Sequence, residues 1–151
     1  MKHISLFFAT VAICFCNQLF AQSYQVNSYL NPIPDYTIKP SNDGYQVYEY
    51  LNPVPLYSIK TNSSGGYSTY EYLNPVPISE SKPNNQGGYT TNQYMNPIPS
   101  YSTKSNYNGG VDVYNYLNPV PVLTTKPSNS GGTTVYQYLN PIPSFSINPI
   151  K

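Results

Sequence analysis

Tryptophan and arginine are absent from the 151-residue chain, and its two cysteines, its one histidine and all of its alanines fall within the first 21 residues. The rest of the chain therefore has neither a thiol nor an imidazole. That excludes a disulfide framework, zinc or copper sites built on Cys or His, and the Ser-His-Asp and Cys-His nucleophilic devices. Charge is scarce as well: charged residues make up 9% of the chain and the formal net charge is +1. Without a basic stripe there is nothing to hold nucleic acid or an anionic lipid surface. No apolar run reaches the roughly 20 residues of a membrane-spanning helix.

The longest apolar run, Ile4 to Cys16, follows Met1-Lys2-His3 and precedes Asn17-Gln18-Leu19-Phe20-Ala21. This is the layout of a secretory signal peptide over residues 1–21, with cleavage expected after Ala21. The expectation is a secreted, extracellular chain with no membrane attachment once the signal is removed.

What the chain has in abundance is repetition. Six tandem units fill residues 24–44, 45–66, 67–88, 89–110, 111–132 and 133–151, each built around Tyr-Leu-Asn-Pro-Val/Ile-Pro, with Met95 once in place of Leu. A repeat of about 22 residues leaves no room for a separate globular domain. In the second unit, Tyr45 to Leu51 is rich in β-formers and reads as a short strand, with Val47, Glu49 and Leu51 on one face and Tyr48 and Tyr50 on the other. Asn52-Pro53-Val54-Pro55 removes two backbone donors and argues against a helix or a central sheet strand. Thr61 to Gly66 is a Ser/Asn/Gly turn. One unit alone buries too little apolar surface to offset the entropy of ordering it. The expected fold is a mostly disordered or extended low-complexity repeat chain with short β and PPII segments; the alternative is a small β-solenoid or stacked β-hairpins.

All 18 tyrosines lie beyond residue 21. The pairs Tyr48/Tyr50, Tyr70/Tyr72, Tyr114/Tyr116 and Tyr136/Tyr138 are candidate assembly or cross-link points, through stacking, dityrosine formation or hydroxylation. Ordinary strand propensity and burial also favour tyrosine and stand as the plainer explanation. Lys39, Lys60, Lys82, Lys104 and Lys126 recur at one place per unit, as candidate amines for coupling or simply as the charge that keeps each unit soluble. Asn62-Ser63-Ser64 is a glycosylation sequon. The carboxylates Asp35, Asp43, Glu49, Glu71, Glu80 and Asp112 do not recur in register, so no catalytic pair, cofactor site or metal site is expected, and the chain reads as a non-enzyme.

Tandem Tyr- and Pro-rich units behind a signal peptide resemble repetitive extracellular matrix proteins of cuticle, eggshell, shell-matrix or adhesive foot-protein type. The Tyr-Leu-Asn-Pro-Val-Pro phrase is also similar to the Tyr-Leu-Pro-Pro phrases of insect cuticle proteins, departing from them by the Asn. The resemblance implies a structural or adhesive matrix protein whose repeats act as multivalent assembly or cross-linking points and whose partners are copies of itself or other matrix proteins. The alternative is a repeat-based binding module for polysaccharide or a matrix partner. A precursor of several secreted peptides would lack dibasic processing sites.

Overall fold

The computed structural model describes residues 22–151, so the signal segment and the cleavage after Ala21 lie outside the described residues. The described chain is ordered from end to end as twelve strands. They are β1 (Tyr24–Ser28), β2 (Tyr36–Ser41), β3 (Gly44–Glu49), β4 (Pro55–Thr61), β5 (Tyr67–Glu71), β6 (Pro77–Pro83), β7 (Tyr89–Gln93), β8 (Pro99–Ser105), β9 (Val111–Asn115), β10 (Pro121–Pro127), β11 (Thr133–Gln137) and β12 (Pro143–Pro149). Each pairs antiparallel with its neighbours in sequence, and β1 pairs with β12 to close a barrel. The expected disordered or extended chain is thus wrong. The expected alternative fails too, because the hairpins neither coil into a solenoid nor stack face to face; they pair edge to edge around a ring. Closure supplies what a lone unit lacks, since every strand finds two partners and no edge is left exposed.

The prolines that argue against a sheet are placed where a sheet tolerates them. Pro55, Pro77, Pro99, Pro121 and Pro143 each open a strand, a position where a missing N–H is tolerated. Next to each of these five prolines the register slips by one residue, as between Tyr48↔Pro55 and Val47↔Tyr57, leaving Leu56 unpaired with a counterpart strand residue. Such a bulge turns the strand out at the rim. Its carbonyl is then used by the next unit: Tyr72 N–H donates to Leu56 O at 3.0 Å, and Tyr29 N–H to Ser144 O at 3.1 Å across the closure.

Alternate residues point inward. Tyr24, Val26, Ile38, Tyr45, Val47, Ile59, Tyr67 and Ile147 form one buried cluster, and Val113, Leu123 and Val135 a second, with Phe145 packed against both. Between them the interior turns to hydroxyls: Ser81, Thr91, Thr103 and Thr125 are buried. Ser81 Oγ and Thr91 Oγ1 lie 2.8 Å apart, and Tyr89 N–H donates to Thr103 Oγ1 at 2.7 Å. These pairings satisfy the buried hydroxyls that make them. The outward face carries Thr37, Lys39, Gln46, Ser58 and Lys60, the opposite of the apolar band that a lipid-facing barrel needs.

The two ends of the barrel are built differently. Four of the five connections between units use Gly-Gly turns, and the first uses Asn42-Asp43-Gly44. Gly65 adopts φ +76°, and a Cβ on Gly66 would sit 1.9 Å from the carbonyl oxygen of Ser81. The first glycine supplies a left-handed turn and the second lets two backbones touch. Connections within units carry the Leu-Asn-Pro phrase and all emerge at the opposite end.

Candidate functional site: a sixfold rim of apolar loops

At the far end from the glycines, each unit makes a compact double turn. In the second unit Asn52 N–H donates to Glu49 O at 3.1 Å, closing a type II turn with Tyr50 and Leu51 at its centre. Asn52 Oδ1 then accepts the Val54 N–H at 3.0 Å, an Asx turn spanning Pro53. The same bond recurs at Asn31, Asn74, Asn96, Asn118 and Asn140. Asparagine is therefore required for geometry: its backbone ends one turn while its side chain starts the next.

The residue at the apex is unusual for its conformation. Leu30, Leu51, Leu73, Met95, Leu117 and Leu139 all have φ of 59–62°, a region that L-residues other than Asn, Asp and Gly rarely enter. They are 83–86% exposed, so no packing compensates them. Beside them stand Ile33, Val54, Val76, Ile98, Val120 and Ile142, and the half-exposed rings of Tyr29, Tyr50, Tyr72, Tyr94, Tyr116 and Tyr138. The rim thus presents six copies of one uncharged surface made of an aliphatic tip, an aromatic ring and prolines.

Inside the same end, register places side chains opposite one another: Tyr36 with Glu49, Tyr57 with Glu71, Ser79 with Gln93, Tyr101 with Asn115, Leu123 with Gln137 and Phe145 with Ser28. Asp35 joins this mouth, accepting from Ser28 N–H at 2.8 Å and Ser28 Oγ–H at 2.7 Å. Burial, and then the charges of Glu49 and Asp35, push the Tyr36 phenol above its ordinary range; burial and then Glu71 do the same to Tyr57. Carboxylates scattered in the sequence are in this way gathered on one side of the mouth, a grouping visible only once the barrel register is known.

The candidate tyrosine pairs do not share one strand face. Tyr48, Tyr70, Tyr114 and Tyr136 lie on strands and face outward, whereas Tyr50, Tyr72, Tyr116 and Tyr138 lie past the strand ends, inside the turns. Leu51 is likewise in the turn and does not share a face with Val47 and Glu49. The outward tyrosines meet the candidate amines. Lys39, Lys60, Lys104 and Lys126 set their Nζ 4.7, 5.9, 4.7 and 5.0 Å from the ring centres of Tyr48, Tyr70, Tyr114 and Tyr136. These are cation–π contacts worth about 0.5–1 kcal/mol at exposed sites. Lys82 faces the strand that carries Asn92 where four other units have tyrosine. Lys60 also bonds Asp43 at 2.9 Å. Asn62 is tied into its Gly-Gly turn: Nδ2 donates to Ser81 O at 3.0 Å and Oδ1 accepts from Gly66 N–H at 3.0 Å, so a glycan on that nitrogen would displace a turn contact.

Among the described residues no group of three or more His, Cys, Asp or Glu side chains is arranged to hold a metal ion. Compared with known protein families, curated proteins and solved structures, the chain matches none.

Proposed function

We propose that this protein is a secreted, repeat-based binding module that grips an extracellular polysaccharide through the sixfold rim. The observation that carries the proposal is the set of six apex residues, Leu or Met, held at positive φ and almost fully exposed. A left-handed non-glycine residue costs about 1–2 kcal/mol, and strain of that kind collects at functional sites. Nothing within the barrel touches these side chains enough to offset it. The rim phrase is uncharged, which suits a neutral partner, and it combines aromatic rings and aliphatic tips with asparagine and tyrosine polar groups. A polysaccharide has complementary chemistry, with apolar ring faces edged by hydroxyls. Six copies on one rigid ring convert weak contacts into firm attachment through effective concentration. Linking by tyrosine cross-links is supported less well, because the outward tyrosines are spread around the barrel wall and engaged with lysines.

Pull-down of the chain starting at Gln22 on insoluble cellulose and chitin tests the proposal. The protein should pellet with one of these polymers and resist elution by salt, since no charge pair is involved. A chain that stays in the supernatant yet sediments as large self-assemblies would favour the structural matrix role in its place.

A further inference from the structure

Two units break the pattern of the outer wall. Asn27 in the first unit and Asn92 in the fourth occupy the outward position that is Tyr48, Tyr70, Tyr114 or Tyr136 in the others. Each of the two turns its Nδ2 onto the loop of its own unit, Asn27 to Asn31 O at 3.2 Å and Asn92 to Asn96 O at 3.0 Å. Where a ring would lie on the wall, the structure has a hollow. The one at the fourth unit, about 380 Å³, is edged by Glu80 and Lys82. The one at the junction of the sixth and first units, about 460 Å³, is lined only by uncharged residues.

Beneath the lining of the second hollow lies an incomplete polar group. Asn27 is 8% exposed, and its Oδ1 is buried without a hydrogen-bond partner. Buried carbonyl oxygens are almost always satisfied, and one that is not calls for an explanation. Around it lie Gln25, Ser146, Asn148 and Thr134 on the strands, while Tyr29 and Pro32 come down from the rim loop. The first unit has also lost its lysine neighbour: Gln25 pairs with Asn148, which stands where the other units carry Lys39, Lys60, Lys82, Lys104 and Lys126. Both members of the Lys–Tyr pair are therefore replaced by amides at this one junction.

We propose that this hollow is a subsite for one residue of a neutral polyhydroxylated sugar chain, its hydroxyls bonding the Gln25 and Asn148 amides and the Thr134 and Ser146 hydroxyls that line it. The assignment rests on the polysaccharide-binding function proposed above and names where a single sugar ring is read. The volume falls within the roughly 300–1,000 Å³ of ligand pockets, and a few polar groups on an otherwise uncharged lining are what fixes the orientation of a neutral ligand. Because Tyr29, Leu30 and Pro32 belong to both rim and hollow, a polymer lying on the rim can lower one residue into it.

The test uses the chain from Gln22 onward with cellotetraose and chitotetraose, measured by calorimetry. One of these should bind. Asn27→Tyr, which installs the ring that four other units carry, should weaken binding at least tenfold, and Asn148→Lys should weaken it as well. Asn92→Tyr should leave it unchanged, and Asn27→Tyr should still pellet with the insoluble polymer. If Asn27→Tyr does not fold, Asn148→Lys decides. Unchanged tetrasaccharide affinity in the folded Asn27→Tyr variant overturns the subsite. So does a parent chain that pellets with the insoluble polymer but binds neither tetrasaccharide, an outcome that leaves the rim proposal standing. Failure of both soluble and insoluble sugars to bind removes the two together.

Discussion

The two ends of this barrel solve one conformational problem in opposite ways. At the end joining successive units the chain needs left-handed residues and uses glycine, with Gly65, Gly87, Gly109 and Gly131 at φ 72–81°. At the end within units it needs the same region of backbone space and uses leucine or methionine six times over. Glycine would be the unstrained choice at both ends. The glycine end is built for closure, because its second glycine packs against a neighbouring strand. The leucine end accepts strain to keep a side chain that contacts solvent. On the binding function proposed above, the difference means that the rim is maintained for what it touches outside the molecule.

Breaking the glycine end should have the largest effect. Gly66→Ala puts a Cβ 1.9 Å from Ser81 O, a backbone atom that cannot give way. A loss of about 3 kcal/mol is expected from urea denaturation. Gly65→Ala has open space, its nearest neighbour being Pro83 Cγ at 3.8 Å, so only its φ of +76° matters. It should lose about 1 kcal/mol. Equal losses would mean that backbone approach is not what selects the glycine pair.

At the leucine end the sign reverses. Leu51→Gly relieves the strain at φ 62° and gives up little burial, since Leu51 is 84% exposed. Offset by the greater entropy of glycine in the unfolded chain, the expected change is about 0–1 kcal/mol of added stability. A clear loss would show that Leu51 has a packing role.

The mouth sharpens the contrast through pH. Tyr36 and Tyr57 hold their protons more tightly in the fold than free tyrosine does, chiefly through burial and then through Glu49 and Glu71. A folded-state value raised above the unfolded one contributes stability that is present below about pH 10 and is lost as pH rises through the folded values. The denaturation midpoint should fall on the alkaline side, and a Tyr36→Phe/Tyr57→Phe variant should fall less steeply.

Smallest of all is the ion pair at the glycine end. Hydrogen bonding to Lys60 depresses the Asp43 carboxyl, so its contribution is present above the ordinary carboxylate range and disappears as pH falls through the folded value. Both side chains are about half exposed. Asp43→Asn should therefore shift the midpoint only slightly, and less still in high salt.

The local pieces of this molecule are legible in its sequence, but the fold is not: the composition points to a mostly disordered chain, and the chain is a closed barrel. The alternation in Tyr45-Gln46-Val47-Tyr48 read as a strand, the Gly-Gly segments read as turns, and the period set the unit. Closure was not legible, because whether a sixth hairpin meets the first depends on register and bulges accumulated around the whole ring. The prolines misled for a related reason: Pro55 looks like a sheet breaker until it is seen to be the first residue of its strand. The run of β-formers from Tyr45 carries the strand reading through Leu51, and leucine has no propensity for a left-handed turn, so the rim's defining feature is the one that propensity argues against. Asn27 and Asn92 occupy the position that is tyrosine in the other four units, and only the folded wall shows that losing the ring opens a hollow.

The central claim, that the rim side chains are kept for binding at the expense of local strain, is tested most directly by replacing Leu30, Leu51, Leu73, Met95, Leu117 and Leu139 together with glycine. Polymer binding and thermal stability would be measured on the same preparation. The claim predicts a cooperatively melting barrel of equal or higher stability whose affinity for the insoluble polysaccharide falls at least tenfold. A variant that binds as well as the parent, or one that loses its cooperative melt, would contradict it.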